Sequence, residues 1–292
     1  MILDAVFFFS LGTAVSYTVM DLWTRKGLIH ANAFVGSTIN LLVQVVIFFF
    51  LGLFAGFDFP PVGLHYGWIV LGGVAQPGLF LIFYLIGIKR IGISRAVTVK
   101  GAAPIIGAAL AVMFFGEKAL WIHLVGVLLV VAGITAVTLE KTAGGWRRAD
   151  LAWPFLAACM IGLSANFWRR GLSYFSNPLD ALFIVILVST VMVGVCTWYF
   201  LREEEGEDYR RALGPFIASG LASGLANLFL MNALARGEVF RILPIVQLSP
   251  LITVLYAILF LRQTEKMDWR IPVGAVLTVA GAVLVSLKLG DI

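Results

Sequence analysis

Charge is what this sequence has least of. Asp, Glu, Lys and Arg make up 13% of its 292 residues, against roughly 25% in ordinary soluble domains, so a water-facing globule with a charged shell is excluded. Cysteine is scarce as well. Cys159 and Cys196 lie inside apolar runs, which suits buried thiols and not a disulfide framework. The three histidines, His30, His65 and His123, are scattered without metal-ligand spacing, so no metal and no cofactor are expected. There is no His-Glu-x-x-His helix, no Gly-Lys-Ser phosphate loop and no Gly-x-Ser-x-Gly elbow. Nothing therefore points to an enzyme or to ATP use. The net charge of +5 does not imply nucleic acid, because the basic residues sit mostly in short loops, where they set membrane topology. The first ten residues lack the basic n-region of a cleaved signal peptide and read as the start of a retained helix.

What the chain has is apolar length. Hydrophobic residues make up 61% of it and the mean hydropathy is +0.99. Successive runs reach the roughly 20 residues that cross about 30 Å of hydrocarbon. They predict ten spans, near 2–24, 32–55, 64–88, 93–115, 119–139, 151–174, 178–201, 213–234, 239–261 and 269–288.

The organising stretch runs from Ile93 to Glu117. Its interior holds one charge, Lys100, and one helix breaker, Pro104. Pro104 has no N–H to give the Lys100 carbonyl, and hydrocarbon supplies no substitute. The stretch recurs as Val239 to Gln263, with Pro250 in the place of Pro104 and Arg241 in that of Arg95. Thr24-Arg25-Lys26-Gly27-Leu28 likewise answers Trp168-Arg169-Arg170-Gly171-Leu172, and Gly126 and Gly133 answer Gly274 and Gly281. The later spans repeat at an offset of 146–148 residues, which makes five helices per copy, and an odd number flips the second copy in the membrane. The expected fold is an all-α membrane protein of ten transmembrane helices, arranged as two inverted five-helix repeats over 1–141 and 150–289. Such repeats are typical of secondary transporters, with the site near the midplane between the halves.

The candidate site residues follow from cost. A charge within a span costs about 2.5–3.5 kcal/mol on insertion scales, so Lys100 is expected to face a cavity and to meet a carboxylate or phosphate of a substrate, or a protein carboxylate; the alternative is a lysine that snorkels to the span end or is structurally paired. Asp21 lies four residues before Arg25, which allows a local ion pair; it is also the candidate for proton or ion coupling. Gln76 and Tyr84 share a helical face with Gly72 and Phe80, and Pro77 frees the Gly73 carbonyl. Asn40 with Gln44, Asn166, Asn227 near Ser219 and Ser223, Gln247 and Tyr17 complete the substrate-binding candidates. About half are expected to line a cavity and half to bond neighbouring helices. Pro77, Pro104, Pro244 and Pro250 are the expected hinges. The glycines seven apart in spans 5 and 10 predict smooth packing faces, used either within the molecule or as a dimer seam, so monomer and homodimer both stand. Loops after the odd spans carry 14 Lys or Arg and the other side 6, which by the positive-inside rule turns both termini away from the cytoplasm.

Pro104, then Gly116-Glu117, then Gly126 and Gly133 form a pattern that resembles the EamA repeat of the drug/metabolite transporter superfamily, and the resemblance covers the whole chain. It implies alternating-access transport of a small organic solute in the cytoplasmic (inner) membrane of a bacterium. It implies that spans 1–4 and 6–9 form a central basket, with the fourth and ninth lining the site. It also implies cytoplasmic termini, opposite to the loop count. Arg262-Gln263 stands where the pattern has Gly-Glu, and Asn40 near where many members carry arginine. The expected partners are a small-molecule substrate, anionic or zwitterionic as in amino acids and organic acids, and the lipid bilayer. A lipid flippase, with a lateral opening between helices, is the second reading.

Overall fold

A computed structural model describes residues 4–91, 99–116, 121–138, 147–200, 208–249 and 252, with scattered positions between 273 and 284. Every regular element among them is helical. They are α1 (Ala5–Gly27), α2 (Ala33–Ala55), α3 (His65–Gly73), a π-helical turn (Val74–Leu79), α4 (Phe80–Ile91), α5 (Ala103–Phe115), α6 (Trp121–Thr138), a 3-10 turn (Arg148–Leu151), α7 (Ala152–Leu172), α8 (Pro178–Phe200), α9 (Tyr209–Arg236) and α10 (Val239–Val246). Six helical stretches are long and apolar enough to cross a membrane, and α5 and α6 are shorter apolar helices. Arg95, Glu117, Pro250 and the Arg262-Gln263 pair lie outside the described residues.

Helix ends are set by local chemistry. Asp4 caps α1 by accepting from the Phe7 N–H, and Asn32 caps α2 by accepting from the Val35 N–H. Each satisfies one of the orphan donors of a helix start. α5 stops at Gly116, whose φ of +70° is left-handed and whose N–H returns to the Ala111 carbonyl. Glycine takes that conformation without the penalty a Cβ brings. The Arg169 guanidinium donates to the carbonyls of Leu234 and Gly237, placing a cation on the exposed carbonyl end of α9.

The packing runs in exchanged pairs. α1 lies along α9, and α7 along α3 and α4. α1 also touches α10, as α7 touches α5, while α2 packs on α8 and α5 on α10. Directions follow from the contacts. Tyr17 meets Asn227 and Thr24 meets Ser219, so α1 and α9 are antiparallel. Gln76 meets Ser164, and Cβ positions built on Gly72 and Gly87 would run into Trp168 and Pro154, so α3–α4 and α7 are antiparallel too. Asn40 and Gln44 meet Ser219 and Ser223, so α2 runs with α9. Thr38 meets Thr197 and Phe49 meets Phe183, so α8 runs against α2. A short turn reverses the chain from α7 into α8. α7 therefore points opposite to α1.

Two expectations are refined here. Pro104 does not interrupt a continuous helix. It is the second residue of α5, in the first turn, where a missing N–H costs little; the break lies at Gly101-Ala102. α10 ends in the same way, in a turn at Gln247-Leu248, 146 residues further on. The paired glycines resolve as well. A Cβ on Gly281 would lie 2.5 Å from the Gly126 carbonyl oxygen and 2.7 Å from the Val130 nitrogen, so these faces close on each other within the molecule.

α5 and α7 also cross backbone to backbone. A Cβ on Gly162 would stand 2.8 Å from the Gly107 nitrogen, and backbone cannot swing aside as a side chain can. Gly162→Leu is expected to push the helices apart and destabilise by about 1–3 kcal/mol, in the range of overpacked cores. Thermal unfolding of the purified variant in detergent reads this as a lowered midpoint.

Candidate functional site

The charged cluster lies where α1, α4 and the break before α5 approach. Lys100 sits in the helical turn that ends at Gly101. Its ammonium is 4.6 Å from the centroid of the Tyr84 ring and 6.0 Å from that of Phe80. Phe80 and Tyr84, one turn apart on α4, stack with centroids at 5.4 Å and planes 14° apart. They form an aromatic shelf, and a cation over such a face is attracted by the ring quadrupole. The Asp21 carboxylate is an electrostatic neighbour of Lys100, Tyr84 and Tyr17. All five side chains are half-buried. The cluster thus brings a cation, a carboxylate, two phenols and an apolar ring into one neighbourhood.

Tyr17 connects this cluster to a second, more deeply buried one. Its hydroxyl donates to Asn227 Oδ1 at 2.7 Å. Asn227 Nδ2 donates to Gln44 Oε1 at 2.8 Å. Gln44 Nε2 then donates to Asn40 Oδ1 at 2.8 Å and to Ser223 Oγ at 2.9 Å. Asn40 Nδ2 donates to Ser219 Oγ at 2.9 Å, and Ser219 meets Thr24 Oγ1 at 2.7 Å. The ladder ties α1, α2 and α9 together. Gln44 is only 1% exposed, and both of its polar atoms are taken. Asn40, Gln44 and Asn227 therefore bond one another across helices here.

The remaining predicted residues lie elsewhere. Gln76 has an extended backbone, φ −144° and ψ 134°, within the π-helical turn, and its Oε1 accepts from the Ser164 hydroxyl at 2.9 Å. The Gly73 carbonyl that Pro77 frees is met by the Ser189 hydroxyl of α8 at 2.9 Å. Asn166 is buried at the α5–α7 crossing and donates to the carbonyls of Gly107 and Gly162. Gln247 is buried in the turn after α10, and Pro244 is inside that helix. Sequence reasoning did not single out Ser164, Ser189 or Thr18, which donates to the Ser249 carbonyl. A lone Ser or Thr in an apolar span ordinarily bonds its own helix, so spacing gave no signal for them.

An apolar helical bundle holding charged side chains in its interior has the build of a membrane transport protein. The chain belongs to the EamA-like transporter family, whose model matches residues 5–139 and again 150–287; this fits the drug/metabolite transporter superfamily. A curated protein of Sinorhizobium sp, described as an uncharacterized transporter in the cobO 3′ region, is 27% identical over 141 residues, which is 46% of this chain and 94% of that protein. A protein of known crystal structure shares the fold with a TM-score of 0.80 over 97% of this chain and 99% of its own, at 16% identity.

The ladder predicts a graded loss. Gln44→Leu leaves Asn227, Asn40 and Ser223 short of a partner inside the bundle. Interhelical bonds in membranes average about 0.6 kcal/mol and reach about 1.7, so the variant is expected to lose roughly 1–2 kcal/mol. Adding Asn227→Leu is expected to cost less than its effect alone, a coupling that a double-mutant cycle of unfolding free energies measures.

Proposed function

We propose that the protein is a secondary, alternating-access transporter of a small organic metabolite carrying an anionic group, either an anion or a zwitterion. It is built from ten spans in two inverted five-helix repeats, 1–141 and 150–289, and works in the cytoplasmic membrane of a bacterium. The observation that carries the reading is Lys100, held half-buried on the Phe80–Tyr84 shelf with Asp21 nearby. A cation placed within the membrane at this cost needs a partner. The aromatic face gives it a weak one, which a carboxylate or phosphate can replace. Asp21 offers the complementary charge, for a substrate ammonium or for a coupling proton. Tyr17 and Tyr84 offer hydroxyls to orient the bound molecule. The half-membrane breaks at Gly101-Ala102 and Gln247-Leu248 leave carbonyls that can bond substrate. The opposite directions of α1 and α7, and the exchanged packing of the helices, support rocking of two inverted halves. The family and the relative described as a transporter favour transport over catalysis, and no observation favours the lipid reading.

A thermal-shift screen against amino acids, organic acids and sugar phosphates identifies ligands, since a molecule that binds the folded form raises the melting point. Lys100→Met is then expected to abolish uptake of the best ligand into proteoliposomes, while the protein still folds and inserts. Unchanged uptake in that variant removes the role given to Lys100.

A further inference from the structure

Two ion pairs cross between the halves, one at each end of the bundle. At the end where α1 begins, Arg241 Nη2 of α10 lies 3.4 Å from Asp4 Oδ2. At the other end, Arg90 Nη1 of α4 lies 3.2 Å from Asp150 Oδ1. Asp4 and Asp150 stand just before the first helix of each half and are 146 residues apart, the offset of the repeat. Both acids divide their carboxylates in the same way. Asp4 gives its second oxygen to the Phe7 N–H, and Asp150 gives its second to the Arg147 N–H. Each acid is thereby fixed to the helix start of one half while holding an arginine of the other.

The two pairs differ in burial. The side chains of Arg241 and Asp4 are 9% and 19% exposed, those of Arg90 and Asp150 58% and 13%. The end holding Asp4 is drawn together, with α1 and α10 in contact around it. At the other end the arginine stands mostly in solvent. We infer that Asp4–Arg241 and Asp150–Arg90 are the two gate latches of the transport cycle, broken in alternation as one face and then the other opens, and that the structure has both latches closed. The inference rests on the alternating-access reading above and adds to it the residues that close each face. A charge pair at a bundle end can open and close in this way because it is buried when its face closes and regains solvation when that face opens, so neither state is strongly favoured.

The experiment needs no substrate, so it stands apart from the Lys100 test. Phe80→Cys, in a chain with Cys159 and Cys196 replaced by Ala, places a reporter on the aromatic shelf. A membrane-impermeant maleimide is added to one side or the other of oriented proteoliposomes. Arg241→Gln is expected to raise labelling severalfold from the side holding Asp4 and to lower it from the other. Arg90→Gln is expected to do the reverse, raising labelling from the side holding Asp150 and lowering it from the side holding Asp4. The exchange Asp4→Arg with Arg241→Asp is expected to restore the parent pattern, which separates a latch from a fold defect. An Arg241→Gln protein that loses thermal stability yet labels from the same side as its parent makes the pair a structural tie only and overturns the inference. Unchanged uptake in Lys100→Met, by contrast, would remove the role given to Lys100 and leave this result intact.

Discussion

A backbone carbonyl or amide inside hydrocarbon has no water to turn to, and each one left bare costs several kcal/mol. The architecture described here is a set of answers to that constraint. Where Pro77 removes a helical donor, the Ser189 hydroxyl of another helix reaches the Gly73 carbonyl. Where the segment after α10 turns, Thr18 of α1 reaches the Ser249 carbonyl. Where α5 ends, Gly116 folds its own N–H back. Where α9 ends, Arg169 covers the last carbonyls. The irregularities at Pro77, after α10 and at the end of α9 are stitched to neighbouring helices, and the stitching fixes which helices stand side by side.

Glycine provides the closeness that such short bonds need. Asn166 can reach the Gly107 carbonyl because Gly107 and Gly162 let α5 and α7 touch backbone to backbone. Gly220 lies against the Asn40 carbonyl and Val43 in the same manner, which brings the amides of α2 within reach of the serines of α9. Packing and hydrogen bonding are therefore one arrangement here, because small residues admit the approach and polar residues hold it.

Much of the frame was readable from residue order. Apolar run length located the helices α1, α2, α7, α8 and α9 to within a few residues, because length against hydrocarbon thickness is a simple constraint. The face Gly72, Gln76, Phe80, Tyr84 was legible from steps of four, and its lower half became the shelf under Lys100. The freed Gly73 carbonyl was legible from Pro77, but its rescuer was not. Ser189 is 116 residues away, and no periodic pattern marks a single hydroxyl that leaves its own helix. The break near Pro104 falls ahead of the proline for a related reason. A proline announces that a helix is perturbed nearby, but whether it interrupts or begins one depends on the residues before it, and Gly101-Ala102 take the turn. The amides Asn40, Gln44 and Asn227 showed in sequence only that they needed partners. That they would choose one another followed from which helices became neighbours.

The connected network of Tyr17, Asn227, Gln44, Asn40, Ser223 and Ser219 also bears on how this molecule can vary over time. Every member spends its donor or acceptor on another member, so a lone replacement strands a neighbour. Drift at these positions has to proceed in concert, several codons together, or pass through weakened intermediates. The half-buried cluster around Lys100 shares Tyr17 with this network, so the obligation reaches it at that residue.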